Sequence, residues 1–155
     1  MRHSLWAICA IWLLLTMVAS CHDRTVYDHY IHTSLAGWDK GDTLTFLLPE
    51  IGEEGMYGMD LNLRTNGQYP FMGITLIVEK TFYPSLFRLT DTIHCKLVEK
   101  NGTPRNQGVS FYQNTYHVAD LHLQRGDSMQ VEVRHDMKRE TLPGIGDVGI
   151  VLKRY

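Results

Sequence analysis

From Leu44 onward, apolar and polar residues alternate along the chain. Leu44, Phe46 and Leu48 form one apolar row, Met59, Leu61 and Leu63 a second, Ile74, Leu76 and Val78 a third, and Ile93, Cys95 and Leu97 a fourth. Alternation with period two sends one set of side chains to a buried face and the other to solvent, which predicts half-buried strands. Thr25 to His32, rich in β-branched and aromatic residues, predicts a first strand. Val109 to Tyr112, Tyr116 to Leu123, the row Met129, Val131 and Val133, and the row Val148, Ile150 and Leu152 predict the later ones.

Turn chemistry separates these runs. Gly37-Trp38-Asp39-Lys40-Gly41-Asp42 reads as a turn, and Asn66-Gly67 offers positive-φ residues for a hairpin or a tight corner. Pro84 argues that the aromatic stretch Thr81 to Phe87 is a connection and not a central strand. Residues 101 to 108 carry the least pattern, and residues 136 to 145 predict either a helical turn or a crossing from one sheet to another. Roughly eight or nine short strands, with no amphipathic helix among them, predict an all-β fold: an antiparallel β-sandwich, expected to be jelly-roll-like.

The first twenty residues follow other rules. Arg2 and His3 precede an apolar run from Leu5 to Val18, and small Ala19 and Ser20 stand just before Cys21. Val18-Ala19-Ser20-Cys21 reads as a lipobox at the end of a signal peptide. Leu5 to Ala19 is fifteen residues, short of the roughly eighteen apolar residues of a membrane-spanning helix. An ordinary secretory signal that happens to contain Cys21 is the competing reading. The lipobox predicts removal of residues 1–20 and a Cys21 that carries acyl chains as the mature N-terminus. A short tether over 21–24 and a single domain over 25–155 follow, of ordinary one-domain size.

Charge and cysteine content narrow the function. The part after residue 20 keeps all seventeen acids and loses only Arg2 among the fifteen lysines and arginines. A net acidic chain without a basic stripe predicts no nucleic-acid partner, since Lys138-Arg139 runs straight into Glu140. Membrane contact is expected through the acyl chains on Cys21. Of the three cysteines, Cys9 leaves with the signal and Cys21 carries lipid, so Cys95 has no partner for an internal disulfide. In phase with Ile93 and Leu97, it reads as a small buried hydrophobe.

Candidate chemistry is sparse. Zinc needs three or four convergent ligands, whereas strand geometry puts His29 opposite to His32 and His117 opposite to His122, leaving only Asp120 and His122 on a shared face. No metal or other cofactor is expected. No nucleophile elbow, zincin helix or phosphate-cradling glycine loop occurs, and Glu53-Glu54 reads as solvated loop acid. The chain predicts no catalytic residue and therefore no enzyme. Arg125-Gly126-Asp127 reads as a turn between strands. Trp38, Phe82 and Tyr83 are candidate contacts for a protein partner or a glycan, because aromatic faces in sandwich loops stack on sugars or anchor partners.

Cys21 in its lipobox, Trp38, Leu63-Arg64, Tyr69-Pro70-Phe71 and Leu142-Pro143-Gly144-Ile145-Gly146-Asp147-Val148-Gly149 together resemble the gliding motility lipoprotein GldH family of Bacteroidota. The resemblance implies a non-enzymatic envelope lipoprotein with protein partners in the gliding machinery and its linked secretion system. Only Asp23 is acidic close behind Cys21, unlike the acid-rich tethers of surface-exported lipoproteins, so the expected place is the periplasmic face of the outer membrane. The alternative function is that of a glycan-binding β-sandwich lipoprotein. Asp42-Thr43-Leu44, Asp91-Thr92-Ile93 and Asp127-Ser128-Met129 resemble the O-glycosylation acceptor triplet of Bacteroidota, making Thr43, Thr92 and Ser128 candidate acceptors. The same residues also suit plain turn chemistry at strand starts.

Overall fold

The computed structural model describes residues 24–99, 101–103, 105 and 110–155. Ten strands form among them: β1 (Thr25–His32), β2 (Trp38–Asp39), β3 (Leu44–Leu48), β4 (Gly55–Thr65), β5 (Gly73–Tyr83), β6 (Arg88–Lys96), β7 (Tyr112–Leu123), β8 (Ser128–His135), β9 (Thr141–Leu142) and β10 (Ile145–Arg154). The long strands make two four-stranded antiparallel sheets, ordered β1-β10-β4-β7 and β3-β8-β5-β6, while β2 and β9 pair with each other. Only β5 and β6 are consecutive long strands within one sheet. Every other connection between long strands crosses from one sheet to the other, and the expected all-β sandwich is the result.

The period-two rows become the core. Phe46 and Leu48, Ile74, Leu76 and Val78, Met129, Val131 and Val133 come from one sheet, and Met59, Leu61, Leu63, Val148, Ile150 and Leu152 from the other. Full burial of one such side chain stabilises the fold by about 1.5–3 kcal/mol, so the double row supplies most of the driving force. Cys95 is a free, buried thiol on that inner face. Burial pushes its pKa up to about 12, as befits a small hydrophobe and not a nucleophile.

Several local expectations needed tertiary context. The stretch Thr81 to Tyr83 continues β5 between β8 and β6, with Thr81 opposite Arg88 and Tyr83 opposite Ser128. Pro84 falls just past the ladder, where its missing N–H leaves no strand bond unmade. Asn66-Gly67 makes a corner and not a hairpin, because β4 and β5 lie in different sheets; the Asn66 carboxamide accepts from the Gln68 amide at 2.9 Å. Arg125-Gly126-Asp127 is the turn expected, with Gly126 at φ +89°. Residues 136 to 145 contain no helix and supply β9 instead. Tyr112 opens β7, and Val109 lies outside the described residues.

Two features break the simple alternation. The register between β4 and β7 shifts between Met59 and Asp60, which leaves Val118 as an extra residue in β7. A bulge of this kind reverses the phase of everything beyond it. In β5, Lys80 continues the inward phase of Ile74, Leu76 and Val78, and its side chain is fully buried. Its ammonium meets the Asp91 carboxylate on the neighbouring edge strand, as a buried charge requires.

Candidate functional site

Three residues of the family-like motifs, Arg64, Asp147 and Gly149, lie on the outer face of β1-β10-β4-β7. One cross-strand row runs His32, Asp147, Arg64, Gln113, and the next runs Tyr30, Gly149, Asn62, Thr115. The Asn62 amide and the Gln113 amide both donate to the Tyr30 hydroxyl oxygen, at 2.9 and 3.2 Å. Thr115 donates to the Asn62 carbonyl oxygen at 2.5 Å, and Arg64 Nε donates to Gln113 Oε1 at 2.9 Å. The Arg64 guanidinium also lies over the Tyr30 ring, 4.3 Å from its centroid. Asp147, nearly buried, receives the His32 imidazole from one side and Arg64 Nη1 at 3.7 Å from the other.

The glycines of the closing motif explain its spelling. A methyl at Gly149 would stand 2.6 Å from two atoms of the Tyr30 ring, so the ring can lie flat on β10 only over a glycine. Gly144 has φ +79°, and a methyl there would stand 2.3 Å from the Tyr69 backbone nitrogen. Tyr69-Pro70 and Leu142-Pro143-Gly144, distant in the chain, are thus one packed corner. Apart from Arg64, Asp147 and Gly149, which the family resemblance had singled out, the members of this network were missed in the sequence. A glycine inside a strand run is the signal that marks such close approach, and an Asp within the apolar Ile145 to Leu152 run is a second.

The chain enters the sandwich at one end. Arg24 precedes β1, and its carbonyl accepts from the Arg154 amide at 2.9 Å. A cavity of about 500 Å³ opens there, lined by Arg24, Val26, Gly52, Glu53, Tyr57, Arg154 and Tyr155. Arg154 is paired with Glu53, and the Tyr155 hydroxyl donates to Asp120. That carboxylate, more than burial, raises the Tyr155 phenol above its ordinary pKa. The lining mixes one acid and two guanidinium groups with aliphatic surface and presents no nucleophile beside a base.

The sequence-predicted site residues scatter. Cys21 lies outside the described residues. Thr43 and Thr92 are exposed, and Ser128 is half-buried where β8 begins. The aspartates ahead of the last two have structural partners: Asp91 holds Lys80, and Asp127 accepts from the Gln124 amide at 2.9 Å. Trp38 is not a surface contact. It is 1% exposed, donates from its indole nitrogen to the Asp42 carbonyl at 3.0 Å and packs edge-on against His135, with ring centroids 5.3 Å apart. Phe82 is half-buried and only Tyr83 is exposed. Trp38 and His135 occupy the end of the sandwich opposite to Tyr83, since β8 runs from Ser128, beside Tyr83, to His135. The three aromatics therefore form no common platform.

The bulge at Val118 also corrects the histidine geometry. His117, Asp120 and His122 all face outward, although a regular strand would have opposed His117 to His122. His117 lies between Asp60 at 3.0 Å and Asp120 at 3.2 Å. Among the described residues, no three His, Cys, Asp or Glu side chains converge with metal-ligand geometry. Burial pushes the His135 imidazole below its ordinary pKa, with nearby Lys40 acting in the same direction and Asp39 against it.

Similar proteins were found by sequence and by structure. The gliding motility lipoprotein GldH of Flavobacterium johnsoniae is 30% identical over 149 residues, covering 92% of each chain. A GldH homolog of Christiangramia forsetii is 24% identical over 149 residues, covering 90% of each. A family 35 carbohydrate binding module from Clostridium thermocellum covers 85% of this chain and 98% of its own at 9% identity and a TM-score of 0.40, a likeness too distant to carry a functional argument. The model of the GldH lipoprotein family matches residues 25–152, and the chain therefore belongs to that family of gliding motility lipoproteins.

Proposed function

We propose that this protein is a non-catalytic interaction module of the cell envelope, anchored by acyl chains on Cys21 after removal of residues 1–20. In this reading it sits on the periplasmic face of the outer membrane and holds a protein partner of the gliding apparatus and its linked secretion machinery. The observation that carries the proposal is the interlocked outer face of β1-β10-β4-β7. Tyr30, Asn62, Arg64 and Gln113 fix one another's side chains, and a polar surface whose rotamers are already locked loses little entropy when a partner docks. Of the residues through which the chain resembles its family, Arg64, Asp147 and Gly149 help build this face, while Trp38, Leu63, Leu142, Ile145 and Val148 lie in the core. The glycan-binding alternative named Trp38, Phe82 and Tyr83 among its contacts, and with Trp38 buried at the far end of the sandwich the three share no stacking platform.

The strand orders β1-β10-β4-β7 and β3-β8-β5-β6 support the jelly-roll form of the sandwich. Exposure supports O-glycosylation at Thr43 and Thr92 more than at half-buried Ser128. An intact-mass measurement on native protein tests both modifications: acyl mass on Cys21 is expected, with added sugar mass removed in the Thr43→Ala and Thr92→Ala variants. The partner is tested by placing a photo-crosslinking side chain at Gln113 and purifying the adduct from native envelope. A reproducible gliding or secretion protein is expected, and it should disappear in Arg64→Ala. Recovery of no adduct from Gln113 would sink the assignment of this face.

A further inference from the structure

We infer that the anchor end of the sandwich docks on the bilayer itself, with the β5–β6 hairpin tip inserted into the lipid leaflet that holds Cys21; this deepens the lipid-anchor reading and rests on it. The register places the elements concerned. Thr25 at the start of β1 pairs with Lys153, Gly55 at the start of β4 with Leu123, and Tyr83 at the end of β5 with Ser128. The chain's entry at Arg24, the β3–β4 loop, the β7–β8 turn and the β5–β6 tip therefore share one end of the molecule.

That tip is apolar and unprotected. Leu86 is 66% exposed and Phe87 57% exposed, with Tyr83 and Leu89 partly exposed on either side. Phe82 and Phe87 lie with ring centroids 6.1 Å apart, so the surface is continuous. Leu86 has φ +58°. Glycine or asparagine adopts that left-handed conformation with little strain, yet the position holds a branched apolar residue directed into solvent. Folding alone gives no reason for Leu86, whereas a hydrocarbon surface does.

The tether decides which surface. Two residues, His22 and Asp23, separate Cys21 from Arg24, and since a fully extended chain gains at most about 3.6 Å per step, the three steps hold Arg24 within about 11 Å of the lipidated residue. An end held that close lies in the headgroup layer, where apolar side chains settle about 5–10 Å deep and aromatic residues are favoured. Arg88, beside the tip, can extend to the headgroups while its stem stays in the apolar layer. The acids of this end do not argue for electrostatic attraction; Glu53 is paired with Arg154 and Glu54 lies 3.7 Å from His122, while Glu50 and Asp127 add negative charge, so insertion is apolar in origin. The outer face of β1-β10-β4-β7 then stands upright on the membrane, open to a partner from the side.

The test uses the full lipidated chain in vesicles of phosphatidylethanolamine and phosphatidylglycerol. A polarity-sensitive fluorophore is placed at Leu86→Cys or, independently, at Phe87→Cys, and at Met72→Cys as an equally exposed position at the opposite end. Buried Cys95 stays unlabelled in the folded protein. The expected result is a blue-shifted emission at 86 and 87, quenched by nitroxide-bearing lipid, with neither change at 72. If the protein floats with the vesicles while 86 and 87 behave like 72, docking is overturned and the anchor stands. If it does not float, the anchor reading fails and this inference falls with it.

Discussion

The outer faces of the two sheets solve the same problem in different ways. On β1-β10-β4-β7 the side chains reach sideways: Tyr30 lies over Gly149, Arg64 over Tyr30, and Asp147 is enclosed between His32 and Arg64. On β3-β8-β5-β6 the outer residues Thr45 and Arg134 are exposed while Gln130, Glu132 and Glu79 are half-buried, and their contacts are short-range pairs such as Gln130 to Glu132 at 3.1 Å, Thr75 to His94 at 3.0 Å and Arg88 to Glu79 at 3.5 Å. The inner faces reverse the contrast. The β3-β8-β5-β6 sheet carries on its inner face a buried lysine, Lys80, paired with a partly exposed Asp91, and a buried imidazole, His135, whereas the other sheet lines the core mostly with aliphatic side chains. Side-chain bonding across strands is thus densest on the outer face of one sheet, and the buried lysine belongs to the inner face of the other.

Four substitutions probe that contrast, beginning with the largest effect. Gly144→Ala puts a methyl against the Tyr69 backbone at a positive φ, and should cost about 3 kcal/mol or more, seen as a lower denaturant midpoint. Asp91→Ala strands the Lys80 ammonium in the other sheet. Because Asp91 is itself 40% exposed, the loss should be about 2–3 kcal/mol, below that of a fully buried pair, and Lys80→Met combined with Asp91→Leu should recover most of it. A double variant no better than the single would mean the pair is not the cause.

Gly149→Ala lifts the Tyr30 ring off β10 and loosens its bonds to Asn62 and Gln113. It should cost about 1–2 kcal/mol, and the flattest comparison is with Gly52→Ala, where a methyl meets nothing. Equal losses for the two would break the account of the interlocked face. The smallest effect is that of pH on His135. Its folded pKa is depressed, so its contribution is complete above about pH 6.5 and is lost as the pH falls toward the folded value; by pH 6 the loss should be under about 1 kcal/mol. His135→Leu should flatten this part of the stability profile, and an unchanged profile would count against it.

The inner rows of β3, β5, β8 and β10 were legible because a strand buried on one side writes its geometry into every second residue. Lys80 was in phase with Ile74, Leu76 and Val78 in the sequence, but only the arrival of Asp91 from β6 makes its burial intelligible. The short strands β2 and β9 were not readable, since two residues carry no period and their partner lies about a hundred positions away. The Val118 bulge was equally hidden, because its extra residue is defined by the register of β4 and not by β7. The outer-face network depended on the same long-range register: nothing near Tyr30 announces that Gly149 and Asn62 will lie beside it. Trp38 was misjudged for a related reason, as a turn-rich neighbourhood suggested exposure while Leu142 and His135 close over it.

The hydrogen bond between the Arg154 amide and the Arg24 carbonyl makes the molecule nearly a closed ring. A circular permutant can exploit it: a short linker from Tyr155 to Arg24, and a new opening at Gly67 in the exposed corner after β4, would keep every ladder described above. The tether proposed to carry the lipid, moved to that opening, would hold the same sandwich upside down. Comparing the two orientations in living cells would separate what the domain recognises from the direction in which it must face.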